Sequence, residues 1–156
     1  MISVVPFRKN YQKDAKTLIL SILNKEFGHI RVPRPDLDNI AKTYQSNERS
    51  NFWIALDKRK IIGTVGLLEI DHPDAVLKRL CVIEKYRRRG AGKKLMQTLL
   101  QFAKDRGYSN IFLQTTTEMK IANSVYESYS FKKTRRPKKM GEITIYPTSI
   151  FYKLKL

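Results

Sequence analysis

The residue types best suited to chemistry fall in one run, Leu80-Cys81-Val82-Ile83-Glu84-Lys85-Tyr86-Arg87-Arg88-Arg89-Gly90-Ala91-Gly92-Lys93-Lys94-Leu95. An apolar strand-like stretch gives way to a basic loop with two glycines, and a helical pattern starts there. Glycine lets the backbone turn tightly and bring its N–H groups close to a ligand. A helix start leaves N–H groups unpaired and carries about half a positive charge. Together these make an anion cradle suited to a pyrophosphate. A tight turn with solvated arginines has the same composition, so the loop alone leaves both readings open. The patterns GxxxxGK[ST] and GxGxxG are absent, which excludes a P-loop and a dinucleotide fingerprint.

Charge raises a second possibility. The chain has 156 residues, with 31 Lys plus Arg against 14 Asp plus Glu and a net charge of +17. Such a balance fits nucleic acid, a phosphate-rich ligand, an acidic partner or plain solubility. Two clusters stand out: Lys85, Arg87, Arg88, Arg89, Lys93 and Lys94, and Lys132, Lys133, Arg135, Arg136, Lys138 and Lys139. The single Cys makes no internal disulfide, and two His with one Cys make no metal site; His29 has no partner pattern. The length favours one domain over residues 1–156. The longest apolar-rich run, Leu18 to Leu23, is far short of the roughly 20 residues that span a bilayer. The expectation is a soluble, cytoplasmic protein without a membrane partner, either monomer or homodimer.

The elements that must position this loop follow from periodicity. Residues 2–7 read as a strand ending near Pro6. A helix capped near Asn10 carries Leu18, Ile19, Ile22, Leu23 and Phe27 and stops at Gly28. Asp36 caps a second helix with Leu37, Ile40, Ala41 and Tyr44. Phe52 to Leu56 and Ile61 to Ile70 form an antiparallel hairpin; His72-Pro73-Asp74 is a turn and Val76 to Ile83 a strand. Gly90 to Arg106 is a helix ending at Gly107, Ile111 to Thr115 a strand, and Ile121 to Tyr129 a helix. Ile143 to Leu154 holds one or two strands broken by Pro147. Strand-helix-strand crossovers in the second half imply an α/β mixed sheet with helices on both faces.

Arg87-x-x-Gly90-x-Gly92 resembles the acyl-CoA signature Arg/Gln-x-x-Gly-x-Gly/Ala of the GNAT N-acetyltransferase superfamily. Leu80-Cys81-Val82 before Tyr86-Arg87 is similar to that family's fourth strand, and Ile111-Phe112-Leu113 to its fifth. Ala122 through Tyr126-Glu127-Ser128-Tyr129-Ser130-Phe131 resembles its Ala-x-x-x-Tyr-Glu-x-x-Gly-Phe helix. The resemblance covers nearly the whole chain. It implies a mostly antiparallel sheet of six or seven strands with splayed central strands, and direct transfer of acetyl from acetyl-CoA to a primary amine in a ternary complex, without a metal.

By the same resemblance, Cys81 and Val82 offer backbone groups to pantetheine, and the N–H groups of Arg88, Arg89, Gly90, Ala91, Gly92 and Lys93 hold the pyrophosphate. Arg87, Arg88 and Lys93 add charge-assisted contacts. A backbone N–H near Val82 polarises the thioester carbonyl, and Tyr126 protonates the leaving thiolate. The family's usual pantetheine Asn position is Met119 here, with Asn123 as a substitute. Ser130 replaces the usual Gly, implying a slightly different helix exit. Val76-Leu77-Lys78-Arg79-Leu80 offers no acid or imidazole as general base; Glu69 is the replacement candidate, beside a water chain or an already neutral amine. Cys81 is read as a small buried hydrophobe rather than a nucleophile. If the 132–139 cluster lines the cleft, it favours anionic over polycationic acceptors. The rival reading is a basic nucleic-acid-binding or interaction domain on a GNAT-like fold without catalysis.

Overall fold

The computed structural model describes residues 1–27, 33–140, 143 and 145–156. Its strands are β1 (Ile2–Pro6), β2 (Asn51–Asp57), β3 (Lys60–Asp71), β4 (Asp74–Val82), β5 (Asn110–Thr116), β6 (Lys132–Thr134) and β7 (Ser149–Lys155). Its helices are α1 (Gln12–Phe27), α2 (Ile40–Tyr44), α3 (Ala91–Asp105) and α4 (Lys120–Ser128). The strands make one sheet in the order β1-β2-β3-β4-β5-β7-β6. All neighbours are antiparallel except β4 and β5, which run parallel across the α3 crossover. This is the mixed, mostly antiparallel α/β sheet that the sequence implies. None of the described helices is long and apolar enough to cross a membrane.

Both faces of the sheet are covered. In β2, Phe52 and Ile54 point to one core while Trp53 and Ala55 point to the other, the period-2 signature of a strand buried on both sides. Leu95, Met96, Leu99 and Ala103 of α3 pack on the Trp53 face. Ile19 and Leu23 of α1, with Ile40 and Tyr44 of α2, pack on the Phe52 face. Burying each such large aliphatic side chain contributes about 1.5–3 kcal/mol before chain entropy is counted. Gln12 ties α1 to the α2 segment: its amide donates to the Leu37 carbonyl and its oxygen accepts from the Ile40 N–H.

The central strands part. β4 and β5 pair only over Asp74–Val76 and Asn110–Phe112, although both continue further. The cause is local. Between the Gly66–Lys78 and Thr64–Cys81 pairs, β3 has one residue and β4 has two, Arg79 and Leu80. Such a bulge bends its strand and increases the local twist. Arg79 adopts φ 58°, a left-handed conformation that is usually glycine's. The Thr64 hydroxyl donates to the Arg79 carbonyl at 2.8 Å and fixes the distortion.

Helix ends follow chain chemistry. Gly107, at φ 74°, lets the Gly107 and Tyr108 N–H groups close on the Lys104 and Ala103 carbonyls, a Schellman end to α3. Ser130, at φ 72°, does the same for α4, with Ser130 and Phe131 N–H groups on Glu127 and Tyr126 carbonyls. The helix exit is therefore the glycine-type one, made by a serine.

Several sequence expectations shift. A 3-10 turn at Lys9–Tyr11 takes the place of an Asn10 cap, and α1 starts at Gln12. Asn39, not Asp36, caps α2, its side chain accepting from the Lys42 N–H; Asp36 has a different partner, described below. The strand β6 is an additional short element that the periodicity did not separate from its loop. The expected stop at Gly28, and His29, lie outside the described residues.

Candidate active site

Where β4 and β5 part, a cleft of about 300 Å³ opens. Its walls are Lys78, Arg79, Leu80 and Cys81 on β4, and Gln114, Thr115 and Thr116 on β5. The segment before α2 contributes Arg34 and Asp36, and Met119, Tyr126 and Met140 close the remainder. A second hollow of about 770 Å³ lies between α1, the loop after β4 and the start of α4, and Met119 lines both.

The loop after β4 has the geometry of a cradle. Arg88 and Gly90 both have positive φ, 65° and 88°, and Gly90 precedes the first turn of α3. A Cβ on Gly90 would meet nothing within 4 Å, and one on Gly92 only the Val82 Cγ2 at 3.9 Å. The space over the helix start is therefore open. Left-handed residues at alternate positions are the kind of turn that directs N–H groups to one side as a nest for an anion.

The loop's cations divide. Arg87 donates to the Val82 carbonyl at 3.1 Å and lies 3.4 Å from Glu26 of α1. Lys85 and Arg89 lie over the Tyr86 ring, at 5.5 and 5.4 Å from its centroid. Lys94 donates to the Ile2 carbonyl. Arg88 and Lys93 make no hydrogen bond or ion pair with the described residues, so they are the cations at the cradle with free donors. Burial raises the Glu26 carboxyl above its ordinary range, against the opposing pull of Arg87.

Tyr126 is 6% exposed and packs with Phe131 and Tyr152, at 5.8 and 6.2 Å between ring centroids. Its hydroxyl donates to no described residue, while its side chain lines the cleft. Burial raises its pKa well above that of a free phenol, so it keeps its proton at neutral pH. Asn123, one turn earlier, donates to the Thr116 carbonyl at 2.9 Å and clips α4 to β5. Its Oδ1 is buried and has no partner among the described residues. A buried amide oxygen without a donor is rare and marks a position where a ligand N–H fits.

Cys81 is 7% exposed, and burial pushes its thiol up to about 12. It is therefore a packed neutral thiol, unsuited to nucleophilic attack.

Glu69 is placed elsewhere. Arg49 grips both of its oxygens, at 2.7 and 2.8 Å, and holds its carboxyl below the usual range. It pairs in register with Ala75, before β4 and β5 separate, and is not among the described residues lining the cleft. This corrects the expectation of Glu69 as general base: a carboxylate held by a guanidinium outside the cleft is a poor proton acceptor there. His72 is a turn residue, its ring 5.0 Å from that of Tyr108. The 132–139 cluster also lies off the cleft, on β6 and its following loop, with Lys139 paired to Asp71.

Other cations face the cleft instead. Arg79 makes a bidentate pair with Asp36, at 2.8 and 2.9 Å, and the Tyr44 hydroxyl donates to the same carboxylate at 2.7 Å. Although burial pushes Asp36 up, the Arg79 hydrogen bonds and charge outweigh it and hold the carboxyl low. The sequence signal for these residues is the Lys78-Arg79 pair inside an otherwise apolar strand.

Residues 17–131 match the family model described as the Acetyltransferase (GNAT) family. Human N-acetyltransferase 8 is 42% identical over 104 residues, covering 64% of this chain and 46% of that protein. The chain spans about half the length of the curated relatives it matches. A GNAT-family acetyltransferase from Staphylococcus aureus superposes with a TM-score of 0.89 and 28% identity, covering 99% of both chains. The PaiA N-acetyltransferase of Thermoplasma acidophilum, solved in complex with coenzyme A, shares the fold with a TM-score of 0.80 at 18% identity over 100% of this chain and 99% of that one.

Proposed function

The chain belongs to the GNAT acetyltransferase family, and from that premise we propose that it transfers acetyl from acetyl-CoA to an amine by direct attack in a ternary complex. The observation that carries the reading is continuity: the unpaired edge of β4 runs from the cleft straight into the open cradle at Arg88–Lys93.

Each residue then has a task. The backbone of Cys81 and Val82, which does not pair with β5, hydrogen-bonds pantetheine once Arg87 gives up the Val82 carbonyl, and the Asn123 Oδ1, without a partner among the described residues, accepts one of its amide N–H groups. The N–H groups of Arg88, Arg89, Gly90, Ala91, Gly92 and Lys93 hold the pyrophosphate, with Arg88 and Lys93 as free charges beside it and Arg87 exchanging Glu26 for phosphate. Acetyl-CoA supplies an activated acyl group. A backbone N–H near Val82 polarises its carbonyl. As the amine nitrogen bonds to that carbon and the C–S bond breaks, Tyr126 gives its proton to the departing sulfur. The ammonium proton is lost to water before attack, and the proton the nitrogen sheds on becoming an amide returns through water to restore the Tyr126 hydroxyl. The cleft's cations favour an acceptor of anionic character over a polycation.

Acetyl-CoA is expected to raise the melting temperature, and an amine panel monitored by thiol release is expected to give turnover. The absence of both results refutes the proposal.

A further inference from the structure

We propose that Lys78 is the acceptor-binding charge of the cleft, and that it takes a carboxylate carried by the acceptor itself. The protein would thus acetylate amines that bear their own carboxylate. This rests on the transferase reading above and names the substrate class of that same site.

The argument starts from position. Lys78 is opposite Gly66, two residues beyond Val76, where pairing to β5 ends, and it lines the cleft on the unpaired side of β4. It lies four residues before the end of β4 at Val82, roughly 13 Å along an extended strand. The phosphate cradle beyond that point therefore cannot supply its counterion.

No described residue bonds to Lys78. Its ammonium makes no hydrogen bond or ion pair with them, although it is half-buried. Among the described residues lining the cleft, the one acid is Asp36. Both Asp36 oxygens are taken by Arg79, and one of them also by Tyr44. The facing wall on β5 is Gln114, Thr115 and Thr116, which are neutral. A half-buried ammonium without an acceptor is unfavourable until an anion arrives.

The reacting group cannot be that anion, because an amine enters as a cation or neutral. The carboxylate must come on another part of the same acceptor. Its arrival would also favour the charged form of Lys78, which burial now disfavours despite the nearby Asp36. Arg79, locked to Asp36, adds positive potential but has its donors committed. A second positive charge on the acceptor would be repelled, which disfavours polyamines.

The test uses the full chain as wild type, Lys78→Gln and Lys78→Arg. Matched sets of substrates are compared: a free amino acid, its carboxamide, and the amine lacking the carboxyl group. Wild type is expected to prefer the acid by at least tenfold in kcat/KM. Lys78→Gln should remove that preference, chiefly by raising KM for the acid, and Lys78→Arg should restore part of it. Equal use of acid and amide by wild type, or a loss in Lys78→Gln shared equally by both, overturns the assignment. So does turnover confined to amines without a carboxylate. In those cases acetyl-CoA still raises the melting temperature and the transferase reading stands. If acetyl-CoA gives no shift in wild type, the transferase reading itself falls.

Discussion

Replacing Gly92 by Leu separates stability from cofactor binding in a way that the cradle requires. Gly92 is the second residue of α3, and an added Cβ meets only Val82 Cγ2 at 3.9 Å, an ordinary contact. Glycine is less favourable in a helix than leucine by up to about 0.8 kcal/mol, and less than that in a first turn. The free variant should therefore melt no lower than wild type and up to about 3 °C higher, taking about 2–4 °C per kcal/mol for a chain of this size. Acetyl-CoA at about 100 times its Kd should stabilise wild type by about 2.7 kcal/mol, a rise of roughly 5–11 °C. In the Leu variant the side chain occupies the space over the helix start, and that rise should vanish. Gly92→Ala, which fits the Gly/Ala alternation of the motif, should keep it. Thermal unfolding with and without acetyl-CoA measures both quantities on the same samples. A Leu variant that keeps more than half of the ligand-induced rise refutes the cradle. One that melts several degrees lower without ligand refutes the reading of the open space.

Tyr126→Phe should bind acetyl-CoA as wild type and fold within about 1 kcal/mol of it, because the hydroxyl has no partner to lose among the described residues; its kcat should fall at least tenfold in a thiol-release assay. Glu69→Gln should change kcat/KM by less than about threefold, since Arg49 holds that side chain away from the cleft. Ser130→Gly should raise stability by about 1 kcal/mol by relieving a left-handed serine, readable by urea titration. Asp36→Ala should destabilise by about 3 kcal/mol by stranding the Arg79 guanidinium. The native pKa of Asp36 is lowered, so the ion pair's contribution is complete above the unfolded carboxyl value near 4. It is lost as pH falls through the still lower native value, and the Asp36→Ala penalty should shrink over that range.

Long amphipathic or apolar runs were legible in the sequence because one residue's neighbours at 2 or 3.6 spacing decide them. The α3 stripe Leu95, Met96, Leu99 and Ala103, and the alternation through Phe52–Leu56, are both where the periodicity puts them. The glycine loop was legible because only glycine suits φ 88° at Gly90 with a ligand space above it. What sequence distance hides is which charge meets which. Arg79 and Asp36 are 43 residues apart, and Arg49 and Glu69 are 20 apart. No local pattern distinguishes the acid that borders the cleft from the acid that is gripped outside it. For the same reason the 132–139 run is the denser charge signal in the sequence, while the cleft receives Lys78 and Arg79 from a mostly apolar strand.

The bulge in β4 joins these separate observations. A left-handed arginine costs about 1–2 kcal/mol, and it persists because Thr64 holds its carbonyl while Asp36 holds its guanidinium. The distortion bends β4 away from β5, which opens the cleft. Holding the distortion also commits both oxygens of Asp36, the one described acid on the cleft wall, and so leaves Lys78 without a bonded counterion among the described residues. The geometry and the charge of the cleft are thus set by the same two hydrogen-bonded pairs. The electrostatic character of the cleft comes from how one carboxylate is spent in shaping it rather than from the chain's +17 net charge.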